Sequence, residues 1–220
     1  ESIGPETKLY GVVADPVAHS YSPLIHNASF LAHNLDCRYV PFRVAADELD
    51  FFLKWCKQEN IGGLSVTIPH KQSILPMLTQ AESAAQGIGA CNTVVFSGEE
   101  MVGYNTDYRA AMDCLTEAYA KMTGKADPFE KAAVLVLGNG GVSRAVAYGL
   151  AQRNALITST GRNATAAQKL ALDLGGKAIS WSDRHLVSPD ILVNGTPVGM
   201  FPEMDETPFQ TGNLSGKSLV

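Results

Sequence analysis

Two successive α/β units are what this sequence of 220 residues predicts, and three observations predict them. Short apolar runs of β type alternate with longer helical stretches along most of the chain. Turn-forming residues cluster at Thr123-Gly124-Lys125-Ala126-Asp127-Pro128 and split the alternation into two parts. Beyond that break, a glycine-rich turn joins a continuously apolar run to a helix. Strand–helix alternation produces a parallel sheet covered by helices on both faces, and the length suits one large domain or two modest ones. The expected division is 1–122 and 123–220.

In the first unit, Leu9-Tyr10-Gly11-Val12-Val13-Ala14 has the pattern of a buried strand and is stopped by Asp15-Pro16. A helix follows, with Ser22 as the expected N-cap and Pro23 at the first helical position, where a missing N–H costs nothing. Residues 38–44 read as a second strand, 48–56 as an amphipathic helix, and 63–67 as a third strand ended by Pro69. The runs 92–96 and 101–105 flank Ser97-Gly98-Glu99-Glu100 as a β-hairpin, so the first sheet is expected to be mixed. A long helix is predicted over 107–122. In the second unit, 132–137 is apolar enough for a strand buried on both faces. Helix 142–153, strand 156–160, helix 165–174 and strand 191–194 complete the order.

Composition narrows the classes of function. Apolar residues make up 45% and charged residues 18%, the balance of a soluble protein with a sizeable core. A net charge of −5 argues against a nucleic-acid partner, which needs a basic stripe. No apolar run approaches the roughly 20 residues of a membrane-spanning helix, and the first residues lack the basic and apolar regions of a secretory signal. A cytoplasmic protein is expected. Cys37, Cys56, Cys91 and Cys114 show no paired spacing and sit among apolar or small residues, which predicts buried, reduced thiols and no metal site.

The turn Gly138-Asn139-Gly140-Gly141-Val142-Ser143 lies directly between a buried strand and a helix. Glycines there permit a tight turn and close approach of a pyrophosphate, and the helix start offers unpaired N–H groups. A glycine-rich turn without a ligand is the plainer reading, but the strand–turn–helix context favours a Rossmann-like dinucleotide site. Ser143 stands where the fingerprint has its third glycine. The next strand ends in Gly161-Arg162-Asn163, with no carboxylate before Asp173. A guanidinium suits a 2′-phosphate and serves a 2′-hydroxyl poorly, so NADP is the expected cofactor.

Four motifs place polar residues at strand ends of the first unit, where open α/β sheets hold ligands. They are His19-Ser20-Tyr21-Ser22-Pro23, Val66-Thr67-Ile68-Pro69-His70-Lys71, Gly89-Ala90-Cys91-Asn92-Thr93 and Gly103-Tyr104-Asn105-Thr106-Asp107. Singly, each is an ordinary cap, turn or strand end. In this order ahead of the glycine turn, and with Thr196-Pro197-Val198-Gly199-Met200 after the last strand, they resemble the shikimate dehydrogenase family. The resemblance runs from about Tyr10 to Val220.

That resemblance implies an N-terminal substrate domain followed by an NADP-binding domain, and the reversible reduction of 3-dehydroshikimate to shikimate in aromatic amino acid biosynthesis. It implies that Ser20 and Ser22 hold the substrate carboxylate and that Thr67, Asn92 and Asp107 hold ring hydroxyls. Lys71 and Asp107 would flank the carbon that alternates between ketone and alcohol. Gly138, Asn139, Gly140, Gly141, Val142, Gly161, Arg162 and Asn163 would hold the nucleotide, and Thr196, Pro197, Val198, Gly199 and Met200 its nicotinamide side. Hydride reduction of a ketone leaves a developing alkoxide that needs a proton and positive charge beside it. Lys71 supplies both, either as the acid–base group or by orienting and polarising the oxygen. A quinate/shikimate dehydrogenase and a non-catalytic ligand sensor are the alternatives, and the sensor should lack Lys71, Asp107 or the glycine turn.

The sequence departs from the family pattern at four places. Ser65 stands where Asn is frequent, Gly161-Arg162-Asn163 where Asn-Arg-Thr is frequent, and Ala166 where a second basic residue is frequent, which predicts a looser grip on the 2′-phosphate. Family members also continue beyond this point with another strand and helices that return to the first domain. The chain is therefore expected to be a fragment with its C-terminal helices missing. Its opening residues resemble the junction of bifunctional proteins in which a 3-dehydroquinate dehydratase precedes the dehydrogenase. The partner expected is a small-molecule substrate, bound by a monomer or homodimer.

Overall fold

A computed structural model describes residues 3–125, 128–202, 204–214 and 218–220. The chain divides into two compact units, Glu1–Thr106 and Asp107–Val220.

The first unit holds a six-stranded sheet formed by β1 (Lys8–Ala14), β2 (Cys37–Arg43), β3 (Gly63–Val66), β4 (Gln80–Ala81), β5 (Thr93–Ser97) and β6 (Glu100–Tyr104), in the order β2-β1-β3-β5-β6-β4. Strand β1 runs parallel to β2 and β3, while β3–β5 and β5–β6 are antiparallel, so the sheet is mixed. The β5–β6 hairpin closes with Ser97 opposite Glu100, and Gly98 takes the left-handed φ of 57° that so short a turn favours. Helices α1 (Ser22–Ala32), α2 (Leu49–Gln58) and α3 (Ser83–Ile88) belong to this unit. Leu49, Phe52, Leu53 and Cys56, spaced three and four apart, give α2 one apolar stripe. That stripe packs with Val13, Leu64, Val66, Ile74, Cys91 and Val94 in the first core.

In the second unit, β7 (Ala133–Leu137), β8 (Leu156–Thr160), β9 (Lys177–Ala178) and β10 (Ile191–Asn194) form a parallel sheet in the order β10-β7-β8-β9. Helices α4 (Thr106–Thr123), α5 (Gly141–Ala151) and α6 (Ala164–Asp173) accompany it. Val134 to Leu137 are all buried, as their unbroken apolar run predicts. Helix α5 is buried along seven of its residues, Ser143 and Arg144 among them. The guanidinium of Arg144 is accommodated there by Asp173 at 2.8 Å, at the end of α6. A parallel bridge pairs Ile191 with Leu219 beside β10.

Three expectations shift. The units part at 106/107 instead of 122/123, because Met112 and Tyr119 of α4 are buried in the second core with Phe129, Val146 and Leu150. The turn-rich stretch is a connection within that unit, although Ala126 and Asp127 lie outside the described residues. Helix α1 begins at Ser22 itself, with Tyr21 in the cap position and no side-chain cap. Of the four free cysteines, Cys56 and Cys91 are buried, Cys37 is half-buried and Cys114 is exposed on the outer side of α4. The two-residue strands β4 and β9 and the six-residue α3 are too short to leave a periodic signal, and the sequence did not announce them.

Candidate active site

Parallel pairing brings the carboxyl ends of β1 and β3 side by side. The chain leaves them as Asp15-Pro16 and Thr67-Ile68, joined by Asp15 N–H to Ile68 carbonyl at 3.1 Å. A cavity of about 340 Å³ opens there, lined by Ala14, Asp15, Pro16, Val17, His19, Ser20, Thr67 and Ile68. Two of the residues singled out from the sequence, Ser20 and Thr67, therefore meet in one cavity. Ser22 adjoins them, since its backbone N–H donates to Ser20 Oγ at 3.3 Å.

Lys71 sits four residues past Thr67 on a turn pinned at several points. His70 N–H donates to the Thr67 carbonyl at 2.8 Å, and the buried His70 ring bonds the Val44 carbonyl through Nε2 at 2.8 Å. A carbonyl only accepts, so Nε2 is the donor in that bond. The Lys71 carbonyl takes the Cys91 N–H at 2.7 Å, which sets Lys71 beside the turn bearing Asn92. Asn92 in turn grips the start of α4. Its Oδ1 accepts the Thr106 N–H at 2.9 Å and its Nδ2 donates to Thr106 Oγ1 at 2.8 Å. Asp107 is the next residue, half-buried in the first turn of α4. Asn92 thus has a structural task that its motif alone did not reveal.

In the second unit a cavity of about 860 Å³ extends along the carboxyl ends of the parallel strands. Of the thirteen residues expected at the nucleotide, Gly138, Asn139, Gly140, Gly161, Arg162, Asn163, Thr196, Pro197, Val198 and Met200 line it. Gly141, Val142 and Gly199 belong to the same turns without lining it. Gly138 has φ 97°, and a Cβ there would stand 2.8 Å from the Gly195 carbonyl oxygen, so only glycine fits. Gly140, by contrast, has nothing within 4 Å of a built Cβ and leads into α5 without a side-chain cap. Space beside the backbone together with an uncapped helix start is the cradle an anionic group requires.

The two βα turns are tied together. Asn139 Nδ2 donates to the Asn163 carbonyl at 3.3 Å, and Asn139 Oδ1 is buried with no hydrogen-bond partner among the described residues. Asn163 caps α6, its Oδ1 accepting the Ala166 N–H at 3.0 Å. Arg162 is exposed and is the only cationic side chain among the described residues that line this cavity. At the other end Asn194 folds the chain back on itself. Its Oδ1 accepts from Thr196 Oγ1 at 2.6 Å and from Thr196 N–H at 3.0 Å, while its Nδ2 donates to the Val198 carbonyl at 3.2 Å. A glycine turn, an uncapped helix and one guanidinium, along a row of parallel strand ends, fit an extended anionic dinucleotide. Gly195, Trp181, Ala166, Phe201, Pro202 and Glu206 also line this cavity. Gly195 directly precedes a recognised motif, whereas Trp181 and Glu206 carried no signal in the sequence.

Comparison with known proteins gives concordant results. The family model for the shikimate dehydrogenase substrate binding domain matches residues 12–94. A shikimate dehydrogenase (NADP(+)) of Desulforamulus reducens is 39% identical over 99% of this chain and 77% of that protein. The chloroplastic bifunctional 3-dehydroquinate dehydratase/shikimate dehydrogenase of Arabidopsis thaliana is 34% identical over 99% of this chain, which spans 38% of that longer protein. Among solved structures, the Thermus thermophilus shikimate 5-dehydrogenase in complex with NADP(H) and shikimate superposes with a TM-score of 0.79 at 28% identity, covering 96% of this chain and 76% of that one.

Proposed function

This chain belongs to the shikimate dehydrogenase family, and from that premise we propose that it catalyses the NADP-dependent, reversible reduction of 3-dehydroshikimate to shikimate in aromatic amino acid biosynthesis. The observation that carries the reading is the glycine turn and Arg162 lining one cavity that fits a dinucleotide phosphate. The bound nicotinamide would supply the hydride in its reduced form and take it up in its oxidised form. In this reading the first unit binds substrate and the second binds NADP.

Within that division, Ser20 and Ser22 offer hydroxyl donors to the substrate carboxylate at the end of β1, and Thr67 at the end of β3 offers a hydroxyl to a ring oxygen. Asn92 and Asp107 hold further ring hydroxyls. The ammonium of Lys71 stabilises negative charge as it develops on the reacting oxygen and exchanges the proton with it, and Asp107 is the second catalytic residue of this reading. Backbone N–H groups of Asn139, Gly140, Gly141 and Val142 hold the pyrophosphate, while Gly138, whose own N–H donates to the Thr160 carbonyl at 2.9 Å, lets it approach the turn. Gly161, Arg162 and Asn163 hold the adenosine 2′-phosphate side, and Thr196, Pro197, Val198, Gly199 and Met200 hold the nicotinamide side. We place the enzyme in the cytoplasm, as monomer or homodimer, a setting in keeping with four free cysteines.

Lys71→Met tests the assignment. Proton transfer and charge stabilisation by a positioned side chain contribute about 10²- to 10⁴-fold, so kcat should fall by that order while NADPH binding is retained. Near-normal turnover would remove Lys71 from the chemistry.

A further inference from the structure

We propose that Trp181, braced by Arg184, is the wall against which the adenine of the dinucleotide stacks. The inference rests on the NADP reading above and adds a residue to it. The sheet order β10-β7-β8-β9 supplies the geometry. All four strands are parallel, so their carboxyl ends form one row. The nicotinamide-side turn Thr196 to Met200 leaves β10, the phosphate turn leaves β7, and Arg162 leaves β8. A dinucleotide laid along that row with its pyrophosphate at β7 and its 2′-phosphate at β8 brings its adenine to the β8–β9 end. Trp181, three residues past β9, lines the cavity there.

The indole is held still. The Arg184 guanidinium lies 4.1 Å from the centre of its ring. Arg184 is itself fixed, with Nε donating to the Pro208 carbonyl at 2.7 Å and Nη1 donating to the Trp181 carbonyl. Trp181 also packs against the cluster of Leu135, Leu137, Leu192 and Phe209, and part of its surface still lines the cavity. An aromatic surface immobilised before binding loses little freedom when a base stacks on it, and a flat purine is the part of the dinucleotide such a surface suits. Base–aromatic stacking needs no hydrogen-bond readout. That chemistry suits a cavity lined also by Ala166, whose side chain carries no polar group.

Calorimetric binding to the full chain tests this with adenosine 2′,5′-bisphosphate, NADPH and reduced nicotinamide mononucleotide. In Trp181→Ala, the Kd values for the bisphosphate and for NADPH should each rise by about tenfold, and the mononucleotide should bind as it does to the parent. Trp181→Phe keeps an aromatic face and should recover most of the affinity, and it serves if the alanine variant does not fold. The chain has two tryptophans, so fluorescence gives an independent readout. The bisphosphate should quench the parent and leave the remaining Trp55 emission of Trp181→Phe unchanged. Unaltered bisphosphate affinity in Trp181→Ala, an equal loss for the mononucleotide, or undiminished quenching in Trp181→Phe would each overturn the inference while leaving NADP binding intact. A parent chain that binds no NADPH would instead bring down the functional reading itself.

Discussion

Arg162 and Gly195 show how differently single residues serve this fold. Arg162 is exposed and is the only cation among the described residues lining the second cavity, so in the proposed function it acts through its charge. Arg162→Ala should therefore lower the ratio of kcat/KM for NADPH over NADH by at least about tenfold, the scale of one lost charge-assisted contact. An unchanged ratio would show that another group reads the 2′-phosphate. The parent preference itself should be modest, because Ala166 offers no second cation; a preference for NADH would refute the NADP assignment. Gly195 contributes by having no side chain. A Cβ there would stand 2.0 Å from Ser143 Oγ, a buried hydroxyl without a hydrogen-bond partner among the described residues. Gly195→Ala should cost about 1–3 kcal/mol by overpacking, measured as a shift of the denaturation midpoint. Adding Ser143→Ala should recover part of the loss, and a double variant no better than the single would place the strain elsewhere. At this scale the sequence revealed charges and glycines at recognised motifs. It did not reveal contacts made across the fold, such as the grip of Asn92 on Thr106 or the place of Trp181 at the strand ends.

Among the elements, α5 and α6 are clamped by the pair Arg144–Asp173. The Arg144 guanidinium beside Asp173 holds its carboxyl below the usual carboxylate range. A depressed folded-state value contributes stability that is present above the ordinary pKa of about 3.9 and is lost as pH falls through the lowered folded value. In Asp173→Asn, the deficit in Tm relative to the parent should be constant above about pH 5 and shrink at lower pH; a deficit that grows with acid would contradict the pairing. Helix α4 makes a different point. Its register was legible from sequence, but its allegiance was not. Met112 is buried in the second core and would collide with any side chain at Gly149, where a Cβ meets its sulfur at 2.4 Å. Met112→Ala should destabilise the second unit by about 2–5 kcal/mol. Strongly periodic or continuously apolar elements such as α2 and β7 could be read directly, because burial imposes the pattern. Strands of two residues are made by their neighbours and leave no pattern to read.

For the molecule as a whole, each compact unit offers a cavity at strand carboxyl ends. Ser20 and Thr67 meet in the first, while Lys71, Asn92 and Asp107 do not line it, and ten of the thirteen residues singled out for the nucleotide line the second. That convergence follows from topology. Parallel strands send all their ends to one edge, so short motifs far apart in sequence become neighbours without any further instruction. The motif residues and Ala166 could thus be named before the fold was known, whereas Trp181 and Glu206 entered the cavity only through the path of intervening chain. In the proposed function these sites serve one oxidoreduction. Its most direct test is the absorbance of reduced nicotinamide as the chain is supplied with NADP and shikimate, with quinate in parallel. NADPH should form with shikimate at a higher kcat/KM than with quinate, and Lys71→Met should slow it by about 10²- to 10⁴-fold. Binding of both ligands without NADPH formation, or turnover of quinate in preference to shikimate, would contradict it.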